Sequence, residues 1–360
     1  MASVTSRRVV WADALRIWAI LCVVMIHTSS PLFTTQPVGS AGFTAGYLLD
    51  CLVQVGVPLF VMLSGVFLLD ERRPVTIRRA VEHYALPMVG LYFLWSLLYA
   101  LANKVAEPVL LGGASPDGAM VREFLAACVE GAFHLWYLPM TVGLYLLTPL
   151  LRTFLRRDNP RPALYFLLVA LVLRFLLPAA VSLLEEFAGW SLGATVDKFY
   201  LEFPLYPAYY VAGWLMAGQR PPTGVRLAVY GGGLVGLAAM MGLTGWASAR
   251  HGEAVRLWME PYSLFCALYT VAVFGLFCWE LGARTPCPAV ERAVSRLSRL
   301  TFGVDLVHVE VQALYKVFLP YGGTQPVGYM LLQWAVVSAV SFLAAWVLTR
   351  IPGVRRAVRG

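Results

Sequence analysis

The first apolar segment of the chain contains Asp13, Arg16 and His27. Together these residues could bind an anion and transfer a proton. Eleven residues at about 100° each make three turns plus roughly 20°, so Arg16 and His27 share one helix face, about 16 Å apart along the axis. Histidine suits general-base chemistry near neutral pH, and an arginine fork binds phosphate or carboxylate. An alternative stays open, in which Asp13 and Arg16 form a helix-end ion pair and His27 is an interfacial residue.

A second polar stripe lies near the end of the chain, where polar residues follow at steps of four, three, four and three, as on one helix face. Its members are Thr301, Asp305, His308, Gln312 and Tyr315. We expect this face to point away from lipid, with the Asp305 carboxylate holding the His308 imidazole in one tautomer or stabilising its charged form. A structural seam of interhelical hydrogen bonds is the alternative.

Two more places carry polar groups within or next to apolar segments. Arg174 lies about twelve residues into one such segment, where a guanidinium needs an anionic partner, either a protein carboxylate or a ligand phosphate. His134 is followed by Trp136 and Tyr137, which an aromatic belt at the membrane surface would also explain. We expect His134 to share a site with His27. The six scattered cysteines include no CxxC pair, and the sequence predicts no metal site.

The elements that must position these residues are membrane-spanning helices. Of the 360 residues, 59% are hydrophobic and 13% are charged, whereas about a quarter are charged in soluble proteins. The apolar residues come in runs of about 20, long enough to cross a hydrocarbon core of roughly 30 Å as helices. This composition excludes a secreted, nucleic-acid-binding or porin-like protein and predicts an all-α polytopic membrane protein.

The apolar runs predict a bundle of about ten transmembrane helices with no soluble domain left over, so that residues 1–360 form a single membrane domain. The predicted spans are 10–31, 46–69, 84–103, 136–154, 163–184, 200–218, 226–246, 259–281, 298–319 and 327–349. One set of alternate connections holds 21 of the 28 basic residues, and the opposite set holds six. Because cytoplasmic segments carry the excess of lysine and arginine, both termini are predicted to be cytoplasmic and His134 to open toward the exterior.

Four segments of the sequence match one known pattern in order and spacing across nearly the whole chain. They are Asp13-Ala-Leu-Arg16 with His27, Val57–Gly65 including Ser64, His134–Pro139 continued by Gly143–Pro149, and Thr301–Gly303 with His308. In these segments the chain resembles the acyltransferase-3 family of bacterial integral-membrane acyltransferases. The predicted number of spans also fits that family.

The resemblance implies an O-acyltransferase, which we expect to be an O-acetyltransferase. In that family an acyl group passes from cytoplasmic acyl-coenzyme A to a hydroxyl on an extracytoplasmic glycan, lipid-linked sugar or related acceptor. The histidine matching His27 is the catalytic group and the arginine matching Arg16 is essential, and we expect His134 and His308 to join them. The resemblance also implies a multi-pass protein of the bacterial inner membrane. Acetyl-coenzyme A is expected as a donor substrate, membrane lipid as a partner, and neither nucleic acid nor a permanently bound cofactor is expected.

On this interpretation several further residues bind the substrates. Arg78 and Arg79 lie with Arg16 on the cytoplasmic side, where the phosphates of coenzyme A would be. The offset between Arg16 and His27 is comparable with the length of an extended pantetheine arm. The other predicted substrate-binding residues are Asp13, Arg174 and Asp305, together with Trp136, Tyr137 or backbone groups near Ser64 and Gly65 as sources of hydrogen bonds to the oxyanion of the reaction.

The chain also departs from the family pattern. His83 stands where the family usually has a basic residue, Asp305 stands where an aromatic residue is common, and Val309 stands where a proline follows the histidine. We expect no esterase-like domain after the tenth span. Two other functions stay open, a transporter or flippase, against which the sequence shows no inverted halves, and a membrane scaffold. The acceptor, the acyl chain, the oligomeric state and the choice between a covalent acyl-histidine and direct transfer also stay open.

Overall fold

The computed structural model of the chain describes residues 9–72, 75–110, 113, 117–197, 203–323, 325–356 and 358. Within this part of the chain every regular element is helical and there is no strand. The main helices are α1 (Val10–Thr35), α2 (Ala41–Leu68), α3 (Ile77–Ala106), α4 (Gly118–Glu130), α5 (Tyr137–Leu151), α6 (Arg161–Ala188), α7 (Leu205–Gly218), α8 (Thr223–His251), α9 (Leu264–Leu281), α10 (Pro288–Ser298), α11 (Thr301–Phe318) and α12 (Pro326–Leu348). Short helical turns lie at Glu107–Leu110, Phe133–Trp136, Gly193–Asp197 and Val354–Arg356.

Four of these helices change their hydrogen-bond pattern along their length. Helix α2 is interrupted after Val53 and resumes at Gly56. Helices α3, α6 and α9 contain π-helical segments, which are Ala80–Ala85, Leu101–Ala106, Leu171–Leu176 and Leu276–Leu281. Because π-helical turns are frequent at functional sites, the segment Leu171–Leu176, which contains Arg174, is of particular interest.

Seven helices are long and apolar enough to cross a membrane, namely α1, α2, α3, α6, α8, α9 and α12. The other three predicted spans overlap helices that are shorter or more charged. Helix α5 has 15 residues and α7 has 14, and α11 carries Asp305, Glu310 and Lys316. The prediction of an all-helical chain with several membrane-spanning helices is therefore confirmed for the described residues, whereas the number of about ten spans and the cytoplasmic termini stay predictions.

Helix α1 lies at the centre of the bundle. It packs against α2, α9, α10, α11 and α12, and its side chains Leu15, Ala19, Ile20 and Val24 are buried. A helix that is buried on several sides is held in rotation as well as in position, because turning it would expose apolar surface on one side and create clashes on another. The bundle therefore fixes the direction in which each polar side chain of α1 points.

Two glycines allow α2 and α7 to touch. A Cβ atom on Gly65 would overlap the carbonyl oxygen of Tyr210, and one on Gly213 would overlap the carbonyl oxygen of Met62. Small residues of this kind let helix backbones approach closely in membranes. The Tyr210 hydroxyl also lies 2.8 Å from Oγ1 of Thr148 in α5. These contacts hold α2, α5 and α7 together as one wall of the bundle.

Candidate active site

A cavity of about 550 Å³ lies between α1, α2, α5 and α11. It follows the face of α1 that carries Arg16 and His27, and both residues line it. The lining contains seven of the twelve predicted site residues, which are Arg16, His27, Ser64, His134, Trp136, Tyr137 and Asp305. The structure therefore brings together most of the residues that spacing and residue type singled out.

The part of the cavity between Arg16 and His27 is largely apolar. Val23 lies between them on α1, and α2 and α5 contribute Phe60 and Leu144 to the lining. We call the two ends of this cavity the Arg16 end and the His27 end. A charged group at one end, imidazoles at the other and an apolar wall between them suit a long, thin ligand with an anionic head.

Three histidines from different helices meet at the His27 end. The ring centroids of His27 and His308 are 5.0 Å apart, and those of His134 and His308 are 5.5 Å apart. His134 and His308 are buried, whereas His27 is half-buried. In the described part of the chain no group of three histidines, cysteines or carboxylates is arranged to hold a metal ion. Imidazole groups accept and donate protons near neutral pH, so the cluster offers groups for proton transfer.

The tautomer of His308 follows from the hydrogen bond that its ring makes. Nδ1 of His308 lies 2.7 Å from the backbone oxygen of Asp305 and 3.3 Å from that of Val304. A carbonyl oxygen only accepts hydrogen bonds, so Nδ1 carries the proton and Nε2 of the neutral ring keeps its lone pair. Nε2 is buried and makes no hydrogen bond within the described structure.

The expectation that the Asp305 carboxylate holds the His308 imidazole is wrong. Asp305 and Tyr137 both line the cavity, while the backbone oxygen of Asp305 accepts the hydrogen bond from the His308 ring. A side chain in a helix points back toward the preceding turn, so the backbone oxygens three and four residues earlier are the nearest acceptors. Asp305 therefore belongs to the wall of the cavity.

Arg16 is held at its end of the cavity by Asp13. Nη1 of Arg16 lies 3.0 Å from Oδ1 of Asp13, and Oδ2 of Asp13 accepts a hydrogen bond of 3.0 Å from Ser295 Oγ. Asp13 is buried and does not line the cavity, whereas one third of the Arg16 side chain is exposed. The guanidinium also lies 4.9 Å from the ring centroid of Phe67. Asp13 therefore holds the Arg16 guanidinium in place at this end of the cavity.

Arg78 and Arg79 lie outside the cavity. Both side chains are exposed, Arg78 pairs with Glu82 at 2.9 Å, and the guanidinium of Arg79 lies 5.9 Å from the ring centroid of Tyr84. The structure does not bring these two predicted donor-binding residues to Arg16.

Arg299 lies where sequence analysis had no candidate. It lines the Arg16 end of the cavity and also an adjoining depression of about 330 Å³, whose other lining residues include Arg292 and Arg296. Residues 292, 296 and 299 follow at steps of four and three, the spacing of one helix face. This spacing is visible in the sequence. These arginines were assigned only to the excess of basic residues that sets the orientation in the membrane, so they were not considered for the site.

The side chains considered as hydrogen-bond donors to the oxyanion differ in the contacts that they already make. Oγ of Ser64 donates to the backbone oxygen of Phe60 at 2.9 Å, so its proton is already engaged. The Tyr137 hydroxyl is buried in the cavity lining and has no hydrogen-bond partner in the described structure. The Trp136 ring, which also lines the cavity, lies 5.7 Å from that of Tyr206. The Tyr137 hydroxyl is therefore better placed than the Ser64 hydroxyl to donate a hydrogen bond to the oxyanion.

A polar network holds the end of α1 that follows His27. Asp50 of α2 is fully buried and accepts hydrogen bonds from Ser29, from Ser30 at 2.6 Å and from Arg256 at 3.1 Å. Arg256 also binds Glu260 at 2.8 Å. Burial alone would lower the pKa of Arg256, but the two carboxylates more than offset this effect and raise it. The guanidinium therefore stays charged and ties α1 to α2 and to the loop before α9.

Fold and cavity together define a class of protein, a membrane protein of apolar helices with a cavity that is basic at one end and rich in histidine at the other. The model of the acyltransferase-3 family, described as an acyltransferase domain, matches residues 9–350. The chain belongs to this family. Searches of the curated proteins and of the solved structures find no match to the chain.

Proposed function

We propose that this protein is an integral-membrane O-acyltransferase, expected to be an O-acetyltransferase. It moves an acyl group from cytoplasmic acyl-coenzyme A to a hydroxyl of an extracytoplasmic glycan, lipid-linked sugar or related acceptor. The observation that supports this most is that one cavity is lined by Arg16 at one end and by His27 at the other. A donor with anionic phosphates and a thioester on a long arm matches that arrangement.

On this proposal the donor enters at the Arg16 end. Arg16 and Arg299 line the cavity there, and Arg292 and Arg296 line the adjoining depression. Guanidinium groups bind phosphate oxygens through charge-assisted hydrogen bonds. The nucleotide phosphates stay at these arginines, and the pantetheine arm follows the apolar wall for about 16 Å to the histidines.

The reaction at the His27 end exchanges one ester linkage for another. The acceptor hydroxyl oxygen attacks the thioester carbon, and its proton passes to the imidazole of His27. The carbon–sulfur bond then breaks, and the sulfur leaves as a thiolate that takes up the proton from His27. Free coenzyme A and the O-acyl ester are the products. A hydroxyl needs this base because it is a weak nucleophile at neutral pH.

His308 stabilises the charged form of His27 in this scheme. Its Nδ1–H is held by the backbone oxygen of Asp305, so its Nε2 lone pair is the free polar atom of the ring. The ring centroids of His308 and His27 lie 5.0 Å apart. At this distance the lone-pair side of the neutral His308 ring, which is the negative end of its dipole, stabilises a positive charge on His27. His308 is thus a positioning residue, while His27 takes the proton.

Inside-out membrane vesicles from native cells test the proposed function. Acetyl-coenzyme A labelled in the acetyl group is added to the outside of the vesicles, which corresponds to the cytoplasm. Label should appear in a base-labile ester fraction that is protected inside the vesicles, and free thiol should be released in equal amount. Vesicles from cells that lack the protein serve as the control. Solute flux that needs no acyl donor, with no thioester consumed, would instead identify a transporter or flippase.

A further inference from the structure

Among the described residues, Arg174 has no carboxylate partner, although it lies halfway along an apolar helix. It is in the π-helical segment Leu171–Leu176 of α6, a helix of 28 residues. Its guanidinium lies 5.5 Å from the ring centroid of Tyr262, and no carboxylate of the described residues lies within 4.0 Å of it. A cation in a medium of low dielectric constant strongly favours an anion beside it. The described structure does not supply one.

The nearby carboxylate on the loop before α9 is already engaged. Glu260 binds Arg256 at 2.8 Å and Gln54 at 3.2 Å. The hydroxyl of Tyr209, on the helix that faces Arg174, donates to the backbone oxygen of Pro261 at 2.6 Å. These bonds hold the loop in place behind the guanidinium. The loop therefore provides a fixed wall rather than a counter-ion.

Aromatic side chains connect Arg174 to the His27 end of the cavity. Phe175, next to Arg174, packs its ring 5.9 Å from that of Tyr209 in α7, and Tyr206 lies one turn earlier on the same helix. The Tyr206 ring lies 5.7 Å from that of Trp136, which lines the cavity. Trp136 is 45% exposed and Tyr262 is 38% exposed. We call Arg174, Tyr206, Tyr262 and Trp136 the Arg174 patch.

The Arg174 patch is accessible from the side of the bundle. The apolar residues of α6 around it are exposed, namely Tyr165, Leu168, Leu171, Val172 and Leu176. In a membrane such a surface faces lipid. A molecule with a hydrocarbon anchor could therefore reach Arg174 without leaving the bilayer, while its head lies beside Trp136.

We propose that Arg174 binds the anionic group of a membrane-anchored acceptor, a phosphate or carboxylate next to its lipid chain. The hydrocarbon chain lies along α6, the anion binds the guanidinium as a bidentate partner, and the remainder of the head passes over Tyr206 and Trp136 toward His27. This inference rests on the proposed function and adds the chemical class of the acceptor to it.

Binding of a simple anionic probe tests this inference independently of acyl transfer. The purified full-length protein is placed in neutral phosphatidylcholine nanodiscs and titrated with farnesyl phosphate or with farnesol. We expect the wild-type protein to bind farnesyl phosphate about tenfold more tightly than farnesol. Arg174→Gln should remove this preference, whereas Arg174→Lys, which keeps the charge, should retain part of it. Arg250→Gln, which removes another exposed arginine, should leave it unchanged.

Three results would overturn the inference. Equal binding of the two probes by the wild-type protein, or an unchanged preference in a folded Arg174→Gln variant, would show that Arg174 binds no such anion. If nanodiscs that contain phosphatidylglycerol abolish the preference, the site binds bulk lipid headgroups and not an acceptor. Normal probe binding without acyl transfer by the wild-type protein would overturn the proposed function and leave the anion site standing.

Discussion

The side-chain amide of Gln312 donates a hydrogen bond of 2.7 Å to the backbone oxygen of His27. In an α-helix that oxygen would accept from the backbone N–H of residue 31, but Pro31, inside α1, has no N–H. A buried carbonyl without a partner is destabilising. Gln312 of α11 therefore replaces the missing bond at the residue that we propose as the general base, and it fixes α1 to α11 at that level.

This relationship predicts a rescue. Gln312→Leu removes the donor and should lower the stability of the protein by about 1–3 kcal/mol, with a loss of kcat and little change in the KM for acetyl-coenzyme A. Adding Pro31→Ala to this variant supplies an N–H at residue 31. The double variant should regain much of the lost stability and much of the lost kcat. Thermal unfolding and vesicle transfer assays measure the two effects. A double variant as impaired as Gln312→Leu alone would show that the His27 carbonyl does not matter.

His308 can be tested atom by atom, because its two ring nitrogens have different surroundings. Gln places an acceptor oxygen near the position of Nε2, whereas Asn places a donor near the position of Nδ1. We expect His308→Gln to retain much of the transfer activity and His308→Asn and His308→Leu to lose it. Activity is compared at equal amounts of folded protein. If His308→Asn kept transfer activity and His308→Gln lost it, the contact that matters would be the one made by Nδ1.

The donor site is tested by comparing arginines inside and outside the cavity. Arg16→Gln and Arg299→Gln should each weaken the binding of acetyl-coenzyme A by about tenfold or more, because each removes charge-assisted hydrogen bonds to phosphate. Arg78→Gln should change it less than about twofold, since that exposed side chain pairs with Glu82. Isothermal titration in detergent gives the three dissociation constants. A larger effect at Arg78 than at Arg299 would place the phosphates away from the cavity.

The Asp50 network should matter for stability more than a surface pair does. Arg256→Gln leaves the fully buried Asp50 carboxylate without its cation, and loss of one partner of a buried pair typically lowers the free energy of unfolding by about 3–5 kcal/mol. Arg156→Gln, which breaks the exposed pair with Asp158, should have little effect on the free energy of unfolding. Denaturant unfolding compares the two variants. Equal small effects would mean that water or lipid stabilises Asp50 instead.

Relations within one helix could be predicted from the sequence. The geometry of an α-helix fixes the directions of Arg16 and His27 once α1 is recognised, and both indeed line one cavity. The same reasoning identified the stripe that contains Asp305 and His308. It was wrong about the bond between them, because spacing does not show whether a carboxylate or a backbone oxygen is nearer to the ring.

Relations between helices needed the structure. Nothing in the spacing of the sequence joins Gln312 to Pro31, which are 281 positions apart, or shows that Arg299 and not Arg78 lines the cavity. The contacts depend on the order in which helices pack around α1, and hydrophobic runs do not specify that order. The buried Asp50 was missed for a similar reason, since its partner Arg256 lies in a loop that carries no pattern of its own.

The most direct test of the proposed mechanism compares two histidines in the vesicle assay. His27→Ala should bind acetyl-coenzyme A like the wild type, while transfer of label into the base-labile fraction falls by about 10²–10⁴, the usual contribution of a positioned base. His251→Ala, which removes an exposed histidine paired with Glu186, should transfer at the wild-type rate. Transfer by His27→Ala at more than about half the wild-type rate would contradict the assignment of His27 as the general base.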